Sequence, residues 1–210
     1  MARCFHGTLE QISPWLTLRR FGKWQEILEQ TTSLGEAPYA RGIGHFVRGS
    51  ALAATGRPGE AQQALEQVLA SAGAASSLQI SVNSGRYVLT LAAEMLAGQI
   101  AFHGGRFEES ILHLETAVRM EDGLNYIEPP EWGAPVRHWL GAVLLEAGRP
   151  EEAEVVYWED LRRNPENVWS LFGLLQSLNA QGKTGIATRV EERLKRAAAR
   201  ADVELTSSMF

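Results

Sequence analysis

Apolar residues recur along most of the chain at the spacing of an α-helix. After Gly56, they lie three or four positions apart and therefore fall on one helix face; these are Ala61, Ala64, Leu65, Val68 and Leu69. Ala153, Tyr157 and Leu161 repeat the pattern after Gly148. The pattern predicts an all-α chain built from amphipathic helices.

Five glycine-plus-cation pairs separate these helical stretches. They are Gly22-Lys23, Gly56-Arg57, Gly105-Arg106, Gly148-Arg149 and Gly182-Lys183. Glycine readily adopts the left-handed conformation that ends a helix. Pro58 and Pro150 follow two of the pairs, at a position where proline can open the next helix. We therefore expect pairs of helices joined by short glycine turns.

Successive turn glycines lie 34, 49, 43 and 34 residues apart. Small residues recur before and after the turns, at Gly49, Gly98, Gly141, Ala61, Ala153 and Ala187, and Pro165 follows a helix. The two outer intervals and these residues resemble the tetratricopeptide repeat. The resemblance implies a right-handed α-solenoid of about five helical hairpins, or about ten helices.

We expect residues 1–210 to form a single repeat domain. Its first unit, about residues 1–35, departs from the repeat because Pro14 lies within the leading helix and Ile27 replaces an alanine. The other units surround the remaining turn glycines, Gly56, Gly105, Gly148 and Gly182. We expect the last helix to cover residues 184–200 and the tail to fold back onto it.

The last third of the chain carries a closer resemblance. The segments 128–132, 159–167 and 169–174, which read EPPEW, EDLRRNPEN and WSLFGL, are similar to the C-terminal region of large bacterial tetratricopeptide repeat proteins of unknown function. This resemblance implies a bacterial origin and brings no activity with it. It also makes the chain look like a short relative or a fragment of such a protein.

The two long intervals mark insertions into the repeat. We expect a loop at residues 71–79, followed by a long helix that ends near His103. Residues 121–133 contain Pro129 and Pro130, which cannot continue a helix, so we expect an extended loop there. Insertions into repeat proteins often lie on the binding face.

The resemblance also implies which side chains face the groove, because the first helix of each pair lines it. These are Phe46, Met95, Gln99, Phe102, His103, His138, Glu146, Trp169, Phe172, Gln176 and Asn179. Aromatic and amide groups together suit a bound peptide. The alternative is that Phe46, Met95 and Phe102 pack between neighbouring repeats.

A second candidate site is the loop cluster, which consists of Tyr126, Glu128, Trp132 and Arg137. Its aromatic groups and arginine could bind an anionic ligand or the C-terminus of a partner. In the alternative interpretation, Trp132 holds the loop on the helices, and Arg137 pairs with Glu128 or caps carbonyl groups.

Composition narrows the function classes. Hydrophobic residues make up 45% of the chain, and the net charge of −5 disfavours binding to nucleic acid. Cys4 is the single cysteine, and no apolar run approaches the length of a membrane span. We therefore expect a cytoplasmic protein that binds neither membranes nor nucleic acid.

Five histidines, at positions 6, 45, 103, 113 and 138, include no pair four residues apart and have no cysteine cluster beside them. We expect no metal, no cofactor and no catalysis. The leading hypothesis is a scaffold that binds a protein or peptide segment in its groove. One alternative is an enzyme or accessory protein that binds a small molecule or metal through the groove histidines and the segment Trp132–Arg137. The other is a protein that self-associates into homo-oligomers.

Overall fold

A computed structural model describes residues 12–34, 36–128 and 130–210 of the chain. Cys4, His6 and Pro129 therefore lie outside the described residues. The contacts between residues divide the chain into two compact units, Met1–Gly133 and Ala134–Phe210. That all 210 residues form one repeat domain stays a prediction, and each unit is described by itself.

The described residues of the first unit form three helical hairpins. Residues 12–20 form α1, and the following helices are α2 (Trp24–Gln30), α3 (Pro38–Ala54), α4 (Pro58–Ala74), α5 (Gly85–His103) and α6 (Phe107–Asp122). Two short antiparallel strands, β1 (Gln79–Ile80) and β2 (Asn83–Ser84), lie between α4 and α5.

The second unit contains two helical hairpins. Its helices are α7 (Val136–Glu146), α8 (Pro150–Arg163), α9 (Val168–Ala180) and α10 (Thr184–Ala197). The helices of both units confirm the predicted all-α class. Helix α10 ends at Ala197, three residues before the predicted end at residue 200.

The five turn glycines adopt the predicted conformation, with φ between 62° and 75°. At each turn, the backbone N–H of the residue after the glycine donates to a carbonyl five residues earlier, as from Arg57 to Leu52 at 2.9 Å and from Arg149 to Leu144 at 2.8 Å. This hydrogen bond satisfies a carbonyl that the end of the helix leaves open. The glycines are therefore helix caps that also reverse the chain.

A matched pair of glycines in one hairpin tests this role. Gly56 has a φ of 75°, whereas Gly59 lies inside α4, and a methyl group would meet no atom within 4 Å at either position. We expect Gly56→Ala to lower the free energy of unfolding by about 1 kcal/mol because alanine is strained at positive φ. Gly59→Ala should raise it by about 0.5 kcal/mol. Urea denaturation followed by circular dichroism measures both, and equal effects would contradict the capping role.

Small residues allow the helices of a hairpin to approach closely, as the repeat pattern predicts. A Cβ atom added at Gly49 would lie 3.1 Å from Cβ of Ala64 in the same hairpin and 2.6 Å from Leu96 of the next one, and a Cβ atom added at Gly98 would lie 2.8 Å from Leu114. In the second unit, a Cβ atom at Gly141 would lie 2.4 Å from the ring of Tyr157. Because interiors are close-packed, these positions leave no room for a side chain.

Both insertions contain non-helical segments, but each segment begins later than predicted. Helix α4 continues to Ala74, so the first connecting segment begins four residues later than predicted and includes the strand pair before α5. Helix α5 ends at His103, as predicted. Helix α6 continues to Asp122, two residues into the predicted loop at 121–133, and residues 123–128 and 130–133 contain no helix.

Candidate functional site

The predicted groove residues of the first unit are mostly buried. Phe46, Met95 and Gln99 are each at most 1% exposed, so their side chains contact the protein's own residues. This matches the alternative in which such residues pack between repeats. His103 is exposed at the end of α5, and its ring contacts Phe102 edge-on at 5.1 Å. Among the predicted groove residues of the first unit, the half-buried Phe102 and the exposed His103 keep surface for a partner.

A buried arginine joins three of the helices in this unit. Arg19 of α1 donates through Nε to Ser50 Oγ at 3.3 Å and through Nη2 to Met95 Sδ at 3.5 Å. Its guanidinium carbon lies 4.6 Å from the centre of the Phe46 ring. Ser50 Oγ is also 2.7 Å from Gln99 Oε1. The groove positions of α3 and α5 therefore surround a buried charged group.

The residues of the loop cluster do not form one continuous aromatic surface. Tyr126 is 83% exposed, and its hydroxyl donates to Glu128 Oε1. Trp132 is 8% exposed, with its ring centre 5.4 Å from that of Phe46. Trp132 therefore packs the loop onto α3, as the alternative interpretation expects. Arg137 is buried within α7 and belongs to the second unit.

Asn83 of β2 holds the same loop by hydrogen bonds. Its Oδ1 accepts from the backbone N–H of Asn125 at 2.8 Å, and its Nδ2 donates to Glu131 Oε2 at 2.5 Å. Burial raises the pKa of Glu131, although the hydrogen bond from Asn83 opposes this shift. The two insertions of the first unit are thus bonded to each other.

In the second unit, His138 lies in a buried polar network. Its Nε2 is 3.2 Å from Asp160 Oδ2, and Ser170 Oγ donates to the same oxygen at 2.5 Å. Asn164 Nδ2 donates to Asp160 Oδ1 at 3.0 Å. Burial by itself would raise the pKa of Asp160, but these hydrogen bonds and the charge of His138 hold it below its usual value. The network joins α7, α8 and α9, and His138 is fully buried.

Helix α9 presents four further predicted groove residues, and Glu146 is exposed at the end of α7. Trp169 and Phe172 are half-buried, and Gln176 and Asn179 are exposed. Positions 169, 172, 176 and 179 are three or four apart and form one stripe along the helix. We call this stripe the α9 face. Leu171, Leu174 and Leu178 are fully buried and face the core.

The C-terminal residues fold back onto the second unit. Ser208 Oγ is 2.7 Å from the hydroxyl of Tyr157 and donates to the backbone carbonyl of His138 at 2.8 Å. The ring of Phe210 lies 6.5 Å from that of Trp139. The tail therefore packs on α7 and α8, whereas we expected it on the last helix.

The other histidines are dispersed. His113 Nδ1 is 2.7 Å from Glu94 Oε2, and His45 lies in α3, where burial lowers its pKa. Within the described residues, no three histidine, cysteine or acidic side chains are grouped closely enough to hold a metal ion. No helix in this part of the chain is long and apolar enough to cross a membrane.

The first unit has an open cleft of about 510 Å³ along α3 and α4. His45, Arg48 and Gln63 are among its lining residues. Arg48 donates to the carbonyl of Leu28 at 3.1 Å and is 3.4 Å from Thr31 Oγ1. The arginine of this cleft therefore already bonds to the protein itself.

Two functional candidates were missed in the sequence, although each left a signal. Arg19 lies seven residues after Ile12 and four residues after Trp15, on the same helix face. Asp160 lies three residues after Tyr157, inside the apolar stripe of α8. A charged residue on an otherwise apolar stripe was the signal, and only the fold shows what it bonds.

Comparisons with known proteins support the fold alone. No family model matches the chain, and no curated protein is similar to it. Among solved structures, the chain is similar to the crystal structure of MamA, a protein with tetratricopeptide repeats, at a TM-score of 0.50 and 13% sequence identity. The match covers 98% of this chain and 100% of the MamA chain. The chain thus has a tetratricopeptide-like helical fold.

Proposed function

We propose that this tetratricopeptide-like chain is a non-catalytic scaffold that binds an apolar protein segment on the α9 face. The observation that carries the proposal is the composition of α9, which contains no charged residue between Val168 and Ala180. Its partly exposed stripe combines Trp169 and Phe172 with Gln176 and Asn179. Uncharged aromatic surface that remains exposed is typical of interaction sites.

The α9 face is held in place before a partner arrives. The ring of Trp169 stacks on that of His138, with 6.4 Å between the ring centres and an angle of 21° between the ring planes. His138 is fixed in turn by Asp160. Asn167 caps the helix, accepting hydrogen bonds from the backbone of Trp169 and Ser170. A preformed surface binds more tightly because less freedom is lost on binding.

The chemistry of this face indicates the kind of segment it would bind. Trp169 and Phe172 would contact apolar side chains, and the amides of Gln176 and Asn179 would bond to a peptide backbone. We infer a segment with one or two large apolar residues and no requirement for charge. His103 lies in the first unit and is a separate candidate contact.

Tetratricopeptide-like folds are typically non-enzymatic and bind proteins. This supports a scaffold over the alternative of a small-molecule or metal enzyme that uses the groove histidines and the segment Trp132–Arg137. The proposal also includes that the protein is bacterial and cytoplasmic and has no cofactor. Self-association is tested by the same experiment, because a second copy of the chain would compete with the peptide.

Selection from a random peptide library, followed by isothermal titration calorimetry, tests the α9 face. We expect Phe172→Ala to weaken binding of the selected peptides about tenfold or more, since a half-buried aromatic anchor contributes at least about 1.4 kcal/mol. Trp158→Ala is the matched control, because Trp158 is 37% exposed on α8, outside the α9 face. Circular dichroism should show unchanged helicity in both variants.

Two results would contradict this proposal. Peptides that bind the native chain, Phe172→Ala and Trp158→Ala with equal affinity would place the binding surface elsewhere. Loss of helicity in Phe172→Ala would show that Phe172 belongs to the core. Light scattering of the native chain over a range of concentrations shows whether self-association occupies the face.

A further inference from the structure

Arg19 carries a buried positive charge that no acidic side chain neutralises within the described residues. Its side chain is only 6% exposed, and its partners among the described residues are a hydroxyl, a thioether and an aromatic ring. Burial, with a smaller contribution from the neighbouring charge of Arg20, lowers the pKa of Arg19 to about 9. A buried charge without a counter-ion is strongly unfavourable in a folded protein.

The thioether and the hydroxyl are poor compensation for this charge. A thioether sulfur is a weak acceptor, and a neutral hydroxyl provides no negative charge. An apolar side chain of similar length in place of Arg19 would be less costly to bury. The arginine at this position therefore needs an explanation other than stability, and binding an anion would provide one.

Two other buried polar groups, in residues that share a contacting residue with Arg19, also have no partner in the described part of the chain. The indole Nε1–H of Trp132 donates to nothing, and the Trp132 ring contacts Phe46, the residue over which Arg19 lies. Gln99 bonds to Ser50 through one amide atom, and its other amide atom, Nε2, has no partner. Each such group loses its hydrogen bonds to water without replacement.

All three groups need a hydrogen-bond acceptor, and the guanidinium also needs a negative charge. The guanidinium can donate two parallel N–H bonds to a planar carboxylate. A carboxylate also has lone pairs left for the Trp132 N–H. Phe46 and Met95, which are fully buried, provide apolar surroundings for the rest of such a molecule.

We propose that the first unit binds a small monocarboxylate with an apolar substituent, held by Arg19 and Trp132. A phosphate suits the same place less well, because its charge of about −1.5 to −2 exceeds that of one guanidinium. Trp132 lies in the non-helical segment after α6, and such a segment moves aside at a smaller cost than a helix. The site lies in the first unit and does not depend on the proposed function of the α9 face.

Calorimetric titration of the native chain with phenylacetate and hexanoate tests the site. Phenylacetamide, which lacks the charge, and inorganic phosphate are the matched probes. We expect both carboxylates to bind, phenylacetamide to bind at least about tenfold more weakly, and phosphate to give no heat. Trp132→Phe, which removes the N–H and keeps an aromatic ring on Phe46, should weaken phenylacetate about fivefold.

Arg19→Met separates binding from stability. It should abolish phenylacetate binding and, with the uncompensated charge removed, raise the melting temperature by at least about 2 °C. Arg57→Met, at an exposed arginine paired with Glu60, should leave both phenylacetate binding and the melting temperature unchanged. Peptide binding at the α9 face should survive in Arg19→Met, so failure of one proposal is distinguishable from failure of the other.

Three outcomes would overturn the proposal. The first is that neither carboxylate binds with a dissociation constant below about 10 mM. The second is that phosphate or phenylacetamide binds as tightly as phenylacetate. The third is that phenylacetate affinity stays the same in both Arg19→Met and Trp132→Phe, which would place any binding elsewhere. Should Arg19→Met fail to fold, Trp132→Phe decides the question by itself.

Discussion

Replacement of Gly173 by alanine should lower the free energy of unfolding by about 3 kcal/mol, at the upper end of the usual cost of overpacking a core. A Cβ atom at this position would lie 2.1 Å from Cζ of Tyr157 and 2.5 Å from its hydroxyl oxygen. The Tyr157 ring is fully buried and cannot move aside into solvent. Urea denaturation followed by circular dichroism measures the loss.

The position of Tyr157 explains the size of this effect. Its ring lies against Gly141 of α7 and Gly173 of α9, and its hydroxyl is held by Ser208. A shift of the ring would therefore break the hydrogen bond to the C-terminal residues as well. Three segments of the second unit depend on the place of this one side chain.

A double-mutant cycle tests this reason for the loss. In a Tyr157→Leu background, Gly173→Ala should cost less than about 1 kcal/mol, because the smaller side chain leaves room for a methyl group. Gly185→Ala is the control, since a methyl group at Gly185 meets no atom within 4 Å. An equal cost of Gly173→Ala in both backgrounds would contradict the proposed clash with Tyr157.

Replacement of Asp160 by alanine should lower the free energy of unfolding by about 3–5 kcal/mol, which equals or exceeds the effect of Gly173→Ala. The carboxylate accepts hydrogen bonds from Ser170 and Asn164 and pairs with the buried His138. Alanine would leave these groups in an apolar interior without their acceptor. Urea denaturation measures the free energy of unfolding of Asp160→Ala. Asp202→Ala, which removes an exposed carboxylate, is the control.

The same network predicts how the loss depends on pH. The pKa of Asp160 is lowered in the folded chain, so its stabilisation is present above the unfolded pKa of about 3.9 and is lost as pH falls through the folded value. The deficit of Asp160→Asn relative to the native chain should therefore be largest near neutral pH and shrink below about pH 4. A deficit that stays constant from pH 7 to pH 3 would show that the carboxylate charge is not involved.

How far the candidate site could be predicted differs between helices. The groove positions of α9 were chosen from repeat spacing, and Trp169, Phe172 and Gln176 keep exposed surface. The same repeat spacing predicts that Phe46, Met95 and Gln99 face the groove, but these three side chains are buried. Spacing along a helix tells which face a residue occupies, but not what covers that face. In the first unit, Trp132 of the second insertion packs on Phe46.

The amino-acid sequence by itself determined where the first helix of each hairpin ends and which helix faces are apolar. These are local properties: a glycine at positive φ ends a helix through hydrogen bonds within a few residues, and apolar spacing follows from 3.6 residues per turn. All five turn glycines and the all-α class could therefore be read directly from the chain.

Only the tertiary structure decided which polar groups are buried together. Arg19 and Met95 are 76 residues apart, and Ser208 and His138 are 70 residues apart. Contacts over such distances depend on how the helices pack, and the energy of a buried charge depends on the atoms around it. The spacing of residues along the chain gives no information about helix packing or about these surroundings. The uncompensated charge of Arg19 and the Asp160 network can therefore be identified only in the folded structure.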